Sequence, residues 1–585
     1  MFWRALILIL FGLFSQTLYA ERALQIEVTI EDTNRFNTPN NFSNRLKQDL
    51  PLSHLKDDQY PAQTDFLFQQ ATKQLRQSLK AYGFYSPTIE PQLTRNENTT
   101  RADFRIQLNA QVRWRDIQIE ISDEQANPLL WQNYRQFDLS LKSGNPLRHA
   151  DYEQTLTDLL NLAHNQGYLD AYFRQRRFEV SPSEGFADAF IELELADPYQ
   201  FGQVRFKGSQ QIAPDLLARF VDFTPQTPYR QSELSQLQRA LINSRYFARV
   251  QINPQFDEIQ QRQIPIEVEL EDNLPHRYKI GAGFGSDTGA RLLLGFENRL
   301  VNQDGHRYEV ESVIGERAQS FFINYGIPGQ RPARQRWNIR TGWEATQSSN
   351  LNRSRVVFAP EYSYQPDEFW LIKPYFSLES ERFRYTDQTD QTTRLLLGGL
   401  DVQKRYANDE TYPVKGYRHN LNLRTSSEQL GSDSGFFQLE AATKWIISPL
   451  DFWRWLFYAN IAQTSTDNAN SLPATYRYLL GGETLRGFGF ESIGVLDENN
   501  QLQGGINKLH ASIETDYRFS KYLGLALFGD AGQVYNDQLD EDLKVGAGGG
   551  IRGFTPIGIV RFDVAWPVSE PNPDWRLHFS IGLDL

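Results

Sequence analysis

The sequence predicts three α+β repeats of the order β-α-α-β-β, followed by an antiparallel transmembrane β-barrel of about 16 strands. Three observations predict this architecture: an N-terminal secretion signal, a pattern that recurs three times in the first half, and alternation of apolar and polar residues throughout the second half. The expected boundaries are 1–20 for the signal, 21–110, 111–197 and 198–273 for the repeats, and 275–585 for the barrel.

The composition excludes several classes of function. The chain has 585 residues, a formal net charge of −12 and no cysteine. No basic run stands out, which argues against a nucleic-acid partner. The absence of cysteine excludes a disulfide scaffold, a thiol nucleophile and thiolate metal sites. We therefore expect no cofactor and no metal. The mean hydropathy of −0.55 is compatible with a barrel, whose lumen face is polar.

Residues 1–20 have the features of a secretion signal. Arg4 precedes an apolar run over 5–14, and Leu18-Tyr19-Ala20 stands before Glu21. The alternative is a membrane anchor, but the run is shorter than the roughly 20 apolar residues that a spanning helix needs. We therefore expect the segment to be removed after export.

The first half repeats with a spacing of about 80 residues. Each repeat has a helical run, an aromatic turn and two strands. The helical runs are 64–81, 152–165 and 233–244, and the strand pairs are 86–93 with 102–108, 171–180 with 187–195, and 248–256 with 263–271. The turn carries Gly83 and Gly167 in the first two repeats but Arg245 in the third, so the third turn lacks glycine's easy access to positive φ. The polar stretch 34–58 has no clear assignment.

Two roles are open for the repeats. An exposed sheet edge can bind an extended peptide by adding a strand, whereas a purely structural spacer needs no such edge. No recurring set of Ser, His, Asp or Glu stands at a fixed place in the three units.

The second half alternates with period 2. In the last strand, 575–585, six apolar residues from Trp575 to Leu585 alternate with polar residues or glycine. A soluble β-sandwich and an outer-membrane barrel both produce this pattern. The length of 275–585 favours the barrel, because a sandwich seldom uses so many residues as one unit.

One stretch inside this region does not alternate. Residues 478–505 carry paired glycines, Gly481 and Gly482, and the tetrapeptide Leu485-Arg486-Gly487-Phe488. A loop of this length inside a compact domain is usually functional or disordered. The neighbouring strands favour a functional loop. Their alternation places the side chains of Glu514 and Asp530 in the lumen, where the loop could contact them. Arg486 can then reach both with its planar guanidinium, or it can remain a solvated loop charge.

Together these features resemble the BamA/TamA superfamily of outer-membrane assembly factors. The repeats resemble POTRA domains, and their number resembles the TamA branch, the outer-membrane subunits of translocation and assembly modules. The loop tetrapeptide precedes Phe528-Gly529-Asp530-Ala531-Gly532, which is similar to the family's Phe-x-Asp-x-Gly strand motif. The resemblance implies that Arg486 locks the loop inside the barrel through Glu514 and Asp530.

The resemblance also implies a location and partners. These are the bacterial outer membrane with a periplasmic POTRA arm, unfolded client polypeptides, the lipid bilayer, and a TamB-like inner-membrane protein that docks on the first repeat. A second tetrapeptide, Ile551-Arg552-Gly553-Phe554, comes after Asp530 and leads into an alternating strand. We interpret this tetrapeptide as part of the barrel wall and do not assign it the lock. On the next strand, Arg561 and Asp563 are also expected to point inward.

The first and last strands are expected to meet at a lateral seam. The candidate seam residues are Gly281, Gly283, Gly285, Phe579, Gly582 and Leu585. Glycine leaves little to pack, so such a seam could open and template a client strand. Leu585 stands where the family more often has an aromatic residue.

The predicted function is insertion and assembly of β-barrel proteins such as autotransporters. The alternatives are a two-partner-secretion transporter, a passive porin and a barrel enzyme. For the last, the histidines His306, His419, His510 and His578 are scattered and no nucleophile motif stands beside them.

Overall fold

The computed structural model of the protein describes residues 22–122 and 140–585, apart from positions 37, 40, 59, 286–288, 349, 387, 499–500, 538, 540–542 and 557. The expected signal, 1–20, lies outside the described residues. No helix among those that are described is long and apolar enough to cross a membrane.

The first repeat packs two helices on a three-stranded sheet. Its elements are β1 Ala23–Ile30, α1 Phe42–Gln48, α2 Pro61–Lys80, β2 Thr88–Arg95 and β3 Thr99–Gln107. The sheet order is β1-β3-β2, with β1 parallel to β3. The polar stretch 34–58 forms α1 and a 3-10 turn, Pro51–His54, which bury Leu46 and Leu52 completely. These buried leucines explain why a stretch of polar composition is ordered.

The second and third repeats have the same design. The second has β4 Arg113–Ser122, α3 His149–Asn165, β5 Tyr172–Ser181 and β6 Phe186–Glu194, in the order β4-β6-β5. The third has β7 Gln200–Lys207, α4 Pro214–Ala218, α5 Gln231–Ser244, β8 Phe247–Pro254 and β9 Gln263–Asp272, in the order β7-β9-β8. The β-α-α-β-β order is confirmed in the first and third repeats. In the second, the chain between β4 and α3 includes 123–139, which lie outside the described residues.

The turn after the long helix has the same backbone conformation in all three repeats. Gly83 has φ +86°, Gly167 has φ +94°, and Arg245 has φ 64°. A Cβ at Gly167 would lie 2.9 Å from the carbonyl oxygen of Tyr199, so only glycine fits there. Arg245 adopts the left-handed conformation in spite of its side chain, so the third turn reaches positive φ without glycine.

The chain divides into two compact units. The first comprises residues up to 203 with 225–232 and 256–265, and the second comprises 204–224, 233–255 and 266–585. The second unit therefore contains the barrel and most of the third repeat.

The barrel is a nearly closed antiparallel sheet of 16 strands, as predicted. In sheet order its strands are β10 His276–Gly285, β11 Gly289–Asn298, β12 Arg307–Gly315, β13 Ala318–Pro328, β14 Gln335–Gln347, β15 Leu351–Tyr364, β16 Trp370–Tyr385, β17 Gln391–Ala407, β18 Gly416–Ser426, β19 Phe436–Leu450, β20 Trp453–Thr466, β23 Asn507–Arg518, β24 Leu523–Tyr535, β25 Lys544–Thr555, β26 Gly558–Trp566 and β27 Arg576–Gly582. A separate short hairpin, β21 Val495–Leu496 and β22 Leu502–Gln503, lies in the β20–β23 connection.

The two ends of the barrel can be told apart by contacts within the second unit. The hairpin between β11 and β12 receives a backbone hydrogen bond from Ala213 to Gln303, and Arg334, before β14, forms an ion pair with Asp222 of the third repeat at 2.9 Å. Successive hairpins alternate between the ends. The β12–β13, β14–β15 and β16–β17 hairpins therefore lie at the opposite end, which we call the distal end.

The end of the chain departs from the expected strand. β27 ends at Gly582, and residues 583–585, the tail, turn into the lumen. Asp584 pairs with Arg454 on β20 at 3.0 Å, and Leu585 packs against Ile446 and Leu456. The prediction of one strand over 575–585 is therefore wrong, because long-range ion pairs and burial outweigh continued alternation.

Candidate functional site

The connection between β20 and β23, residues 467–506, crosses the barrel lumen. On one side Tyr476 donates to Glu379 on β16 at 2.6 Å, and Glu491 lies 3.4 Å from Arg353 on β15. On the other side Arg486 reaches β23, β24 and β26. A segment that contacts both walls must lie inside the barrel, so the non-alternating stretch is a lumen loop.

Apolar contacts hold the loop in shape. Leu480, Leu485, Phe488 and Ile493 form a buried cluster with Val534 of β24. Three glycines with positive φ, Gly481, Gly482 and Gly487, let the chain fold on itself. A Cβ at Gly487 would come 2.8 Å from the backbone carbon of Trp566, so this glycine allows the loop to lie against the wall.

Arg486 binds two carboxylates of neighbouring strands. Its Nε and Nη2 donate to Asp530 at 2.7 and 2.9 Å, and its backbone N–H donates to the same carboxylate at 3.1 Å. Its Nη1 donates to Glu514 at 2.7 Å. The structure thus brings the three residues together that strand phase and motif order single out. A buried guanidinium with several charge-assisted hydrogen bonds is held in one orientation.

The residues of the strand motif pack around Arg486 and the loop that carries it. The guanidinium carbon of Arg486 lies 3.4 Å from the centre of the Phe528 ring. Gly532 leaves room for the loop, since a Cβ there would approach Leu480 and Leu485 to about 3 Å. Each position of the motif therefore has its own contact with the loop.

Glycines of β25 also leave room for groups that pack closely in the lumen. Gly546, Gly548 and Gly550 all face the lumen. A Cβ at Gly546 would overlap the Arg486 carbonyl oxygen, one at Gly548 would meet the Phe528 ring at 2.7 Å, and one at Gly550 would overlap the Asp563 carboxylate. The run 546–550 thus reflects close approach of a loop, an aromatic ring and a carboxylate to one strand.

Arg552 belongs to the same cluster, so the expectation that it takes no part in the lock is wrong. It lies on β25, in the barrel wall as expected, but its Nη2 binds Glu514 at 2.8 Å and its Nη1 binds Asp563 at 2.5 Å. Asp563 also lies 3.3 Å from Arg486. We call Arg486, Arg552, Glu514, Asp530 and Asp563 the lumen cluster. Strand phase could have found Arg552, because it shares the lumen face of β25.

Further buried contacts lie beyond the predicted lock, and of the residues that form them only Arg561 is expected from the sequence to point inward. His578 accepts a hydrogen bond from the Gly487 backbone N–H at 3.0 Å through Nε2. A second buried set joins Arg454 to Asp516 at 2.5 Å and to Asp584 of the tail at 3.0 Å, and Arg561 also pairs with Asp584. No local motif marks these pairs, which link residues distant in sequence.

Not all of the predicted seam residues lie at the seam. β10 and β27 are the two ends of the sheet, and no ladder of hydrogen bonds joins them among the described residues. Gly281, Gly283 and Gly285 lie on β10, and Phe579 and Gly582 on β27. Leu585 is not at the seam, because it is buried on the opposite wall against β19 and β20. The seam is therefore shorter than the sequence suggests.

The cluster is suited to binding and positioning rather than to bond-breaking chemistry. It pairs two arginines with three carboxylates, and each carboxylate is already engaged by an arginine. No group of three or more His, Asp or Glu arranged to hold a metal ion occurs among the residues that the structure describes.

Sixteen strands, preceding α+β repeats and an arginine-anchored lumen loop together define a class, the outer-membrane barrels with a POTRA arm. Comparisons with known families agree. Residues 298–585 match the Omp85 superfamily domain, 49–108 match "POTRA domain TamA domain 1", and 199–272 match the POTRA surface antigen repeat. The chain therefore contains an Omp85 superfamily domain preceded by POTRA domains. Its location is the bacterial outer membrane, with the POTRA region in the periplasm.

Individual relatives are distant. The chain is 18% identical over 570 residues to the outer membrane protein assembly factor BamA of Neisseria meningitidis serogroup B, covering 84% of this chain and 70% of that protein. The crystal structure of BamA from Haemophilus ducreyi lacking POTRA domains 1-3 superimposes with a TM-score of 0.60 at 15% identity, covering 80% of this chain and 99% of that one. The structure of CdiB from Escherichia coli superimposes with a TM-score of 0.48 at 12% identity, covering 89% of this chain and 98% of that one.

Proposed function

We propose that this protein is a TamA-like assembly factor that inserts β-barrel proteins such as autotransporters into the outer membrane. The observation that carries the proposal is the seam, where β10 and β27 end the sheet without a shared ladder among the described residues. Backbone groups at an open sheet edge are costly in lipid unless another strand pairs with them. A client strand would satisfy them, so the edge acts as a template.

The side chains of β10 support an exposed edge. Tyr278 and Ile280 are 74% and 80% exposed, and Gly281 and Gly283 carry no side chain to brace the wall. The tail binds Arg454 on the far wall instead of extending β27. Opening at this seam disturbs few contacts, whereas every other pair of neighbouring barrel strands is joined by a hydrogen-bonded ladder.

The filled lumen argues against an open channel. The loop 467–506 spans it, and the lumen cluster anchors the loop to β23, β24, β25 and β26. In this proposal the cluster keeps the barrel's shape while the seam opens. A two-partner-secretion transporter requires a polypeptide path through the lumen, so strong ion conductance through single barrels would favour that alternative.

The assignment to the TamA branch rests on the first repeat. Its match to TamA domain 1 covers 49–108, which includes α2, β2 and β3. A TamB-like protein that reaches from the inner membrane is the proposed partner of this repeat. This partner can be tested with photo-crosslinkers placed on β2, an edge strand of the first sheet. They should capture a TamB-like protein in cells.

A reversible crosslink tests the seam directly. The chain has no cysteine, so a pair introduced on β10 and β27 forms a unique disulfide. We expect the crosslinked protein, reconstituted in liposomes, to stop assembling an autotransporter barrel and to resume after reduction.

A second pair serves as the control for that experiment. Val402 and Leu421 face each other on β17 and β18, away from the seam, and their Cys substitutions crosslink a wall that need not open. This control should assemble its client at the rate of the parent chain. Seam opening is excluded if the protein crosslinked across β10 and β27 assembles its client equally fast.

A further inference from the structure

The outward face of the barrel carries arginines at one place. On β16, Phe376 and Leu378 are exposed while Ser377 and Glu381 are buried, so even-numbered residues face outward. Arg382 and Arg384 share that face. On β17, Arg394 pairs with Ser380 and also faces outward. These three residues, the outer arginine patch, are the arginines at outward positions among the described residues of the 16 strands.

The patch lies at a defined level of the membrane. Trp343 on β14 lines the same depression as Arg382 and Arg384, which stand three residues and one residue before the end of β16 at Tyr385. Tryptophan on a barrel's outer face favours the membrane interface. Arg382, Arg384 and Arg394 all lie within three residues of the β16–β17 hairpin at the distal end, opposite to the POTRA end. They therefore stand among the headgroups of the outer leaflet.

The charges of the patch are not balanced within the described protein. Asp390 lies 2.5 Å from Arg382 and 3.7 Å from Arg384, and Asp433 accepts a hydrogen bond from the Arg394 backbone N–H at 2.7 Å, so two negative charges stand beside three positive ones. The guanidinium of Arg394 has no ion pair among the described residues. Arg382 is 68% exposed and Arg384 52%. Adjacent like charges at a membrane surface are stabilised by an external anion.

A depression beside these arginines offers room for such an anion. Its volume is about 400 Å³. Its lining includes Trp343, Asn352 and the basic residues Arg317, Arg382 and Arg384, together with the acidic residues Glu316 and Asp390. Asn352 is the cross-strand partner of Arg384 and is exposed beside it. Guanidinium groups bind phosphate through paired hydrogen bonds, and the tryptophan edge suits the apolar border of a headgroup.

We propose that the outer arginine patch binds the phosphate groups of a lipid in the outer leaflet, the phosphorylated glycolipid of the bacterial surface. Such a site fixes the height and rotation of the barrel relative to the leaflet. It lies on β16 and β17, several strands away from the seam between β10 and β27. The inference depends on the outer-membrane location and not on the assembly function.

Native mass spectrometry of the full chain in detergent tests this site, with lipid A as the probe. The variant R382Q/R384Q/R394Q should bind lipid A at least about tenfold more weakly, because each basic residue near an anionic surface contributes about fivefold. Lipid A stripped of its phosphates should bind the parent chain as weakly as the variant. Lysines at the three positions keep the charge and should restore part of the affinity.

The controls separate this site from other sources of binding. Lys404 faces outward on β17 near the other end of the barrel, so K404Q should bind lipid A within twofold of the parent. Unchanged heat-dependent gel migration shows that the triple variant folds. The proposal is overturned if the triple variant binds lipid A like the parent, if K404Q loses as much, or if inorganic phosphate displaces lipid A at equal concentration, which would indicate a site for free phosphate.

Discussion

Arg486 of the lumen loop and Asp530 of β24 are joined by three hydrogen bonds to one carboxylate, from Nε at 2.7 Å, Nη2 at 2.9 Å and the backbone N–H at 3.1 Å. Asp530 therefore fixes both the guanidinium and the chain that carries it. Ser512 adds a fourth bond to the same carboxylate at 2.6 Å. Loop position and strand pairing are thus coupled at one residue.

Removal of Arg486 should loosen the barrel. In R486A, Asp530 loses its ion pair while it remains buried, and breaking a buried pair from one side costs about 3–5 kcal/mol. We expect the variant to lose its compact migration on unheated gels at a lower temperature than the parent. R486K keeps the positive charge but lacks the paired donors of the guanidinium. The temperature at which it loses compact migration should therefore lie between those of the parent and R486A. Equal transition temperatures for all three proteins would contradict a structural role for Arg486.

The glycines that face the lumen on β25 should tolerate no side chain. G546A places a methyl group against the carbonyl oxygen of Arg486, and overpacking of this kind costs about 1–3 kcal/mol. The matched control is G529A on β24, where a Cβ would meet its nearest neighbour, Ile513, at 3.9 Å. The same gel assay should detect a change in G546A alone. Similar behaviour of both variants would show that loop packing is not the cause.

The two arginines of the lumen cluster should act together. Arg486 and Arg552 share Glu514 and Asp563, so the loss of either leaves these carboxylates with one partner each. A double-mutant cycle with R486A and R552A should give a coupling free energy of about 0.5–3 kcal/mol in urea unfolding. Strictly additive effects would indicate two independent pairs.

Strand phase explains what could be predicted about this site. Alternation assigns a face to each residue, so Glu514 and Asp530 could be placed in the lumen from the sequence, and the loop arginine followed from motif order. Alternation on β25 also places Arg552 in the lumen, whereas motif order alone leaves it out of the lock. The tail shows where alternation stops being informative. Asp584 and Leu585 continue the pattern of β27, and only partners more than 100 residues earlier, Arg454 and Ile446, draw them inward.

The tail should be protected until its ion pairs are removed. Asp584 holds it through Arg454 and Arg561, and Leu585 is only 7% exposed. We expect carboxypeptidase to leave the folded parent intact but to remove terminal residues from D584N, which lacks the charge that binds both arginines. S580N, also near the end of the chain, keeps Asp584 and should remain protected. Rapid digestion of the parent would contradict a buried tail.

The first POTRA domain should be sensitive to acid through Asp58. This residue is buried, accepts a hydrogen bond from Thr100 at 2.6 Å and pairs with Arg95 at 3.0 Å. Burial alone would raise the pKa of Asp58, but hydrogen bonds from Thr100, Thr64 and Arg95 outweigh it and lower the pKa below its usual value of 3.8. The unfolded domain thus binds the proton more readily than the folded one.

The direction of the pH effect follows from that difference. The contribution of Asp58 to stability is complete above pH 3.8 and is lost as the pH falls through the lowered folded-state pKa. Hydrogen exchange of β1 and β3 in the full chain, corrected for intrinsic rates, should show faster opening as the pH falls below about 4. D58N cannot titrate, so its exchange should already be faster at neutral pH and should lack this additional step. If the parent and D58N depend on pH in the same way, Asp58 is not the group responsible.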